Sequence, residues 1–242
     1  MFNELVNAIE GSDLSRTRTQ VDSLLRDGHE PWEIHEALFP LVLRVVNPPF
    51  INPHLPKMYA VNREFVQFLQ PEEIASLLRV EIEEYTRREK VAPRVKPSTV
   101  PSIVDFNDIE SAIASKSVST TAITMAAFLG LAGPEALARR LLILGSGYLD
   151  RSLGHSLSCT AFILIEMITR KDVDAWPSIV LISDYFCTGD FQKTPSLHYS
   201  AISDYSEVYV ENVRRAISGT GIVALHHTIT LYAIERSRHL LN

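Results

Sequence analysis

Cysteine is scarce in this sequence, which has two in 242 residues, Cys159 and Cys187. Two thiols cannot form the disulfide framework that stabilises small secreted domains, and they do not form a CxxC pair of the kind that binds zinc. The flanking residues place Cys159 in an apolar helix and Cys187 in a loop. We therefore expect a cytoplasmic protein whose fold depends on packing alone.

Long hydrophobic runs and targeting signals are also missing. The longest apolar stretch, AITMAAFLGLAG, is too short to span a bilayer and contains threonine and glycine. The first residues, MFNELVNAIEG, have neither the basic region nor the apolar region of a secretory signal. The sequence thus predicts no membrane span and no secretion.

Excess positive charge and the common phosphate-binding motifs are absent as well. The formal net charge is -6, and no stripe of lysine and arginine follows any helix, so nucleic acid is not an expected partner. The glutamates of EIEEY lie beside TRREK, a mixture typical of a solvated helix face. The sequence has no GxGxxG, GxxxxGK[ST] or GxSxG motif, which argues against nucleotide-binding folds and α/β-hydrolases.

The residues that are abundant predict helices. Hydrophobic residues make up 46% of the chain, enough for one sizeable core. We predict an all-α fold, a multi-helix bundle with a buried histidine-containing core, in which residues 1–242 form a single domain. A proline-rich connection at 91–102, within VAPRVKPSTVPS, has no apolar period and is the expected hinge or lid.

The hydrophobic patterns identify the expected core helices. GHSLSCTAFILIEMITRK and STTAITMAAFLGLA are apolar nearly all round, which is typical of helices inside a bundle, and the last helix, GIVALHHTITLYAIERSRHLL, is expected to be buried for most of its length. PWEIHEALFPLVLRVV predicts one buried helix with a kink at Pro40. SIVLISDYF fits a short strand or a helix, and we favour the helix.

Histidines are the most informative polar residues. Four of the eight lie in apolar surroundings, namely His54, His155, His226 and His227, whereas the others, His29, His35, His198 and His239, lie near helix ends or polar faces. Taken alone, each apolar histidine fits a core imidazole with a hydrogen-bond partner. Imidazoles from three helices could instead converge on iron, copper or zinc, with Cys159 one turn after His155 as a further ligand. Since His226 and His227 point about 100° apart, at most one of them faces a given site.

Three segments together resemble the questin oxidase-like family: NPHLPKMYAVNREF, LGHSLSCTAFILIE and LHHTITLYA. That family consists of all-helical proteins with a histidine-rich site, and it includes enzymes that cleave or oxygenate fungal aromatic polyketides. The resemblance implies that His54, His155 and His227 bind a metal ion. This chain is much shorter than the fungal enzymes, and it has Lys57 or Met58 and Cys159 where the family segments tend to carry further histidines.

The resulting hypothesis is a metal-dependent oxygenase that acts on an apolar, aromatic small molecule in a buried pocket, with iron as the candidate metal. Lys57, Tyr59 and Glu166 are candidate catalytic residues that would orient ligands or substrate, although an ion pair or packing is the simpler role for each. The alternative is a non-enzymatic helical protein that binds a hydrophobic ligand, including haem, or a partner protein. A homodimer is compatible with either interpretation.

Overall fold

The residues described by the computed structural model are almost entirely helical, and they are residues 2–47, 50–51, 54–147, 154–170, 174–189 and 205–241. These ranges contain thirteen α-helices, one 3₁₀ turn and one antiparallel pair of two-residue strands. The all-α prediction is confirmed. The chain divides into two compact units, Met1–Val95 and Lys96–Asn242.

The first unit is built around its longest helix, α6, which packs against α1, α2 and α3, while α4 packs against α5. Its elements are α1 (Asn3–Glu10), α2 (Leu14–Arg26), α3 (Pro31–Ala37), α4 (Phe39–Val42), β1 (Val46–Asn47), β2 (Phe50–Ile51), α5 (His54–Phe65), the 3₁₀ turn Val66–Phe68 and α6 (Pro71–Arg87).

Two of these helices begin at residues that satisfy their free backbone amides. The Asp13 carboxylate accepts a hydrogen bond from the Arg16 amide at 2.9 Å, as expected of an N-cap residue. At the start of α6, the Gln70 amide donates to the Glu73 carboxylate at 2.8 Å, and Pro71 follows where no amide is required. Both helix starts agree with the sequence pattern.

The segment from Pro31 onward differs from the expected kinked helix. It is divided into α3 and α4, with Leu38 between them, and Val45 beyond α4 pairs with Lys90 in an isolated antiparallel bridge. Proline lacks an amide hydrogen and its ring clashes with the carbonyl four residues earlier, so Pro40 ends one helix and lies in the first turn of the next.

The second unit surrounds one buried helix, α10, which packs against α9, α11 and α13, while α11 also packs against α7 and α8. Its helices are α7 (Phe106–Ala114), α8 (Val118–Ala132), α9 (Pro134–Ser146), α10 (His155–Thr169), α11 (Trp176–Thr188), α12 (Tyr205–Ser218) and α13 (Gly221–Leu241). Every residue of α10 from Ser156 to Met167 is buried, which confirms it as a core helix.

The ambiguous segment SIVLISDYF is helical and belongs to α11. This corrects the expected environment of Cys187, which is buried in that helix rather than in a loop, with its sulfur 3.2 Å from the Thr121 hydroxyl. The apolar run continues to Cys187 and its length, more than three turns, is typical of a helix rather than a short strand.

The last helix, α13, is far more exposed than predicted. Among its residues of described burial, only Ala233, Ser237 and Leu240 are buried, whereas Leu225 is 58% exposed and Tyr232 is 39% exposed. The three buried positions form a single stripe at helical spacing. The hydrophobic composition of α13 therefore overestimated its burial, because the neighbouring helices cover only one of its faces.

The proline-rich connection lies between α6 and α7. Residues 91–104 contain no helix or strand, and the division between the two units falls within this segment. The prediction that residues 1–242 form a single domain stays a prediction. Within the described part of the chain, no helix is both long and apolar enough to cross a membrane.

Candidate functional site

His155 is held at the start of α10 by a close contact with α13. The preceding residue, Gly154, has a φ of 79°, a left-handed conformation that favours glycine. A side chain at this position would also collide with the Thr230 hydroxyl on α13. Both constraints require glycine next to His155.

A second close approach joins α9 to the same helix start. The Ser156 hydroxyl donates to the Gly145 carbonyl oxygen at 2.6 Å. A Cβ atom on Gly145 would lie 2.5 Å from the backbone oxygen of Ser156, closer than real Cβ contacts allow. The backbones of α9 and α10 therefore touch, and they fix the position from which the His155 side chain projects.

The imidazole of His155 meets that of His226 from α13. Their Nε2 atoms lie 2.9 Å apart, and the ring planes make an angle of 77°. Both residues are half-buried, whereas the adjacent His227 is exposed. Of the two neighbouring histidines on α13, the structure thus brings His226 to His155.

The two Nε2 atoms are at the distance of an N–H···N hydrogen bond between the rings, and the same spacing would also suit two neighbouring ligands of one metal ion. Metal–imidazole bonds are about 2.0–2.1 Å long, so two such bonds at right angles would place the nitrogens roughly 3.0 Å apart. The observed 2.9 Å is close to this value. In the described residues, no group of three or more His, Cys, Asp and Glu side chains could hold a metal ion. The described part of the site therefore offers two ligands.

Two buried side chains, Cys159 on α10 and Tyr185 on α11, lie close to one another in the second unit. Cys159, one turn beyond His155, is fully buried. Burial raises the pKa of the Tyr185 hydroxyl on α11 far above its ordinary value, and the nearby Cys159 adds to the shift. Tyr185 is therefore a neutral hydrogen-bond donor throughout the physiological pH range.

Glu166 lies on α10 but far from the histidine pair. It follows His155 by eleven positions, which corresponds to about 16 Å along a helix axis. Its carboxylate is buried and lies 3.2 Å from the Nε atom of Arg170. This ion pair accounts for its burial.

The other predicted site residues, His54, Lys57 and Tyr59, belong to α5 in the first unit. His54 begins the helix and is half-buried, and Lys57 and Tyr59 are buried. The predicted ligands His54, His155 and His227 are thus distributed over both units, and that ligand set stays a prediction. The same applies to the catalytic roles of Lys57, Tyr59 and Glu166.

The sequence analysis did not predict a buried polar cluster in the first unit, which consists of His35, Glu81 and Tyr85 and is called the His35 cluster below. His35, which we placed near a helix end or polar face, is 4% exposed, and Glu81, expected on a solvated face, is 1% exposed. The sequence does contain a signal for the burial of both residues. His35 lies between Ile34 and Leu38 on the apolar stripe of its segment, and Glu81 lies between Leu78 and Tyr85 on that of α6.

Aromatic rings enclose this cluster. The His35 ring stacks on Tyr59, with 3.9 Å between ring centroids, and on Trp32, with 5.2 Å. Its Nε2 atom lies 3.2 Å from a Glu81 carboxylate oxygen, and the other oxygen accepts a 2.8 Å hydrogen bond from the Tyr85 hydroxyl. Burial and the neighbouring Glu81 raise the pKa of Tyr85 well above its ordinary value, so Tyr85 stays a donor.

Comparison with known proteins found no match to this chain among family models, curated proteins or solved structures. These comparisons therefore assign neither a family nor a function to the chain. The resemblance to the questin oxidase-like family stays a prediction based on three short segments.

Proposed function

We propose that the second unit binds a metal ion through the Nε2 atoms of His155 and His226, and that the chain is a metal-dependent oxidoreductase of the oxygenase type. Its substrate would be an apolar, aromatic small molecule. The observation that supports the metal site is the 2.9 Å distance between the two nitrogens. The oxygenase chemistry rests on the resemblance described above.

The ligand type agrees with this proposal. Neutral imidazole is a preferred ligand of iron, copper and zinc, and two protein ligands leave other coordination positions open. A bound iron or copper ion would supply the redox chemistry needed to activate dioxygen. The close contacts of Gly145 and Gly154 would hold His155 in place for a ligand role.

Aromatic side chains farther along α10 and α13, and on α11, could hold an apolar substrate and exclude water. Phe162 of α10 and Tyr232 of α13 form an aromatic pair with 5.8 Å between ring centroids. The neutral Tyr185 hydroxyl could donate a hydrogen bond to an oxygen of the substrate.

The adjacent histidines of α13 provide a matched test. The protein is purified without a polyhistidine tag, loaded with Fe²⁺, Cu²⁺ or Zn²⁺ in turn, and its metal content is measured by mass spectrometry. We expect His155→Ala and His226→Ala to lose bound metal and His227→Ala to keep it. Circular dichroism of each variant separates the loss of a ligand from the loss of the fold.

The opposite result would favour the ligand set implied by the resemblance, which is His54, His155 and His227. If His54→Ala and His227→Ala lose the metal while His226→Ala keeps it, the ligands implied by the resemblance are right and ours are wrong. If wild-type protein binds none of the three ions, the metal site itself is wrong. Oxygen consumption by the loaded protein with phenolic compounds then tests the oxygenase activity separately.

A non-enzymatic role is the second candidate, and exposed apolar side chains favour it. Val210 and Ile217 on α12 are 52% and 80% exposed, and Leu225 on α13 is 58% exposed. Such residues are typical of surfaces that bind a partner protein or a second copy of the chain. This candidate predicts no bound metal together with concentration-dependent self-association in analytical ultracentrifugation, or, for haem binding, a Soret band after haem is added.

A further inference from the structure

A small cavity adjoins the His35 cluster in the first unit. His35 from α3, Asn62 from α5 and Glu81 from α6 line it together with apolar side chains that include Trp32, Ile74 and Leu78. Its volume of about 10 Å³ is enough for one water-sized group. Three helices therefore converge on a space that can hold a single polar atom.

Three polar atoms at this cavity lack hydrogen bonds. Both ring nitrogens of His35 and the Nδ2 atom of Asn62 are buried without a hydrogen-bond partner among the described residues. The Nε2 atom of His35 is within ion-pair distance of Glu81, at 3.2 Å, although the two are not aligned as a hydrogen bond. Leaving a buried polar group without a partner is unfavourable, so a group that satisfies His35 Nδ1 and Asn62 Nδ2 would gain affinity from both.

The chemistry of the cluster defines that partner. An ionised carboxylate can only accept hydrogen bonds, so in the neutral form of His35 the Glu81 carboxylate favours the tautomer in which Nε2 carries the hydrogen. The Nδ1 atom is then an acceptor, whereas Asn62 Nδ2 is a donor. A hydroxyl group both donates and accepts, and one hydroxyl oxygen fits the available space.

We propose that this cavity binds the hydroxyl group of a small apolar molecule such as a phenol. The hydroxyl donates to His35 Nδ1 and accepts from Asn62 Nδ2. The apolar body of the molecule contacts Trp32, Ile74 and the other apolar side chains that line the cavity. This site is independent of the proposed metal site in the second unit.

The test compares phenol with toluene, which has a methyl group in place of the hydroxyl. Each compound is titrated into full-length protein, and the NMR signals of the Asn62 side-chain amide and the Trp32 indole are followed. Because the chain has two tryptophans, the Trp176→Phe variant identifies the Trp32 signal. We expect saturable shifts with phenol and affinity for toluene weaker by roughly tenfold or more, since toluene leaves both polar groups unsatisfied.

Two variants test whether phenol binds in the cavity beside Asn62. Asn62→Leu removes the donor at similar volume and should lower phenol affinity by about tenfold without affecting toluene. Gln67→Leu is the matched control, because Gln67 is an exposed amide that does not line the cavity, and it should leave both affinities unchanged. Equal binding of phenol and toluene, an unchanged Asn62→Leu variant, or a cavity that holds water but takes up no phenol would each overturn the proposal.

Discussion

The two units each place a histidine against a polar partner, but they hold it in different ways. In the first unit, side chains hold His35, with aromatic rings on its faces and a carboxylate at its edge. In the second unit, the His155 ring meets another imidazole, and close backbone contacts at glycines hold the helix that carries it. The first cluster should therefore be sensitive to the loss of charge, and the second to the addition of a single methyl group.

The largest loss of stability is expected when the carboxylate of Glu81 is removed from the cluster in the first unit. Glu81→Ala leaves His35 and the Tyr85 hydroxyl without their buried partner and should lower the free energy of unfolding by about 1–3 kcal/mol for each of these two groups. Urea denaturation measures this loss. Glu83→Ala is the control, since Glu83 pairs with Arg18 at the surface, and its effect should be small. A similar small loss for Glu81→Ala would show that the buried carboxylate does not hold this cluster together.

The next largest loss of stability is expected in the second unit, when a methyl group is added at a close backbone contact. Gly145→Ala places a methyl group 2.5 Å from the Ser156 backbone oxygen and should lower the free energy of unfolding by about 1–3 kcal/mol, because backbone must shift. Gly130→Ala is the matched control on α8, where a Cβ atom meets nothing within 4 Å. It should stabilise the protein by about 0.5–1 kcal/mol through its helix propensity. Thermal or urea denaturation compares the two variants, and a stabilised Gly145→Ala would contradict the close contact.

The last effect is absent at neutral pH, and it tests one buried tyrosine from each unit. The pKa values of Tyr85 and Tyr185 are raised in the folded protein, so the folded state keeps protons that the unfolded state loses above about pH 10. Stability should accordingly be unaffected by these groups below pH 10 and fall by about 1.4 kcal/mol per pH unit for each group above it.

Urea denaturation between pH 9 and pH 12 checks this dependence. Tyr185→Phe should remove the contribution of one group and make the decline with pH less steep. Tyr232→Phe, which changes a side chain that is 39% exposed, is the control and should keep the wild-type dependence. Identical profiles for all three proteins would show that burial of Tyr185 does not govern its ionisation.

Much of the helical framework could be predicted because its signals are local. Asp13, Pro71 and the apolar run of α10 act through neighbouring residues in the chain, so the starts and ends of these helices follow from nearby sequence. Pro40 shows the limit of such reasoning. The loss of one hydrogen bond predicts a disturbance in the helix, but whether the helix kinks or ends depends on what packs around it.

The candidate sites were less predictable, since they depend on contacts between distant residues. His226 and His227 have nearly identical neighbours in sequence, and only the orientation of α13 against α10 decides which of them meets His155. His35 and Glu81 are 46 positions apart, and neither forms a recognised motif with the other. Their burial was visible as a position on an apolar stripe, but their contact was not.

The sequence by itself determined that the described chain is helical, where helices such as α2 and α6 begin, and that α10 lies in the core. These features follow from backbone preferences and hydrophobic periodicity, which act over a few residues. The tertiary structure alone decided that α13 is largely exposed, that His226 faces His155 and that Glu81 is buried beside His35. Burial and side-chain contact are properties of the packed helices, and a helix of given composition can be covered on one face or on all of them.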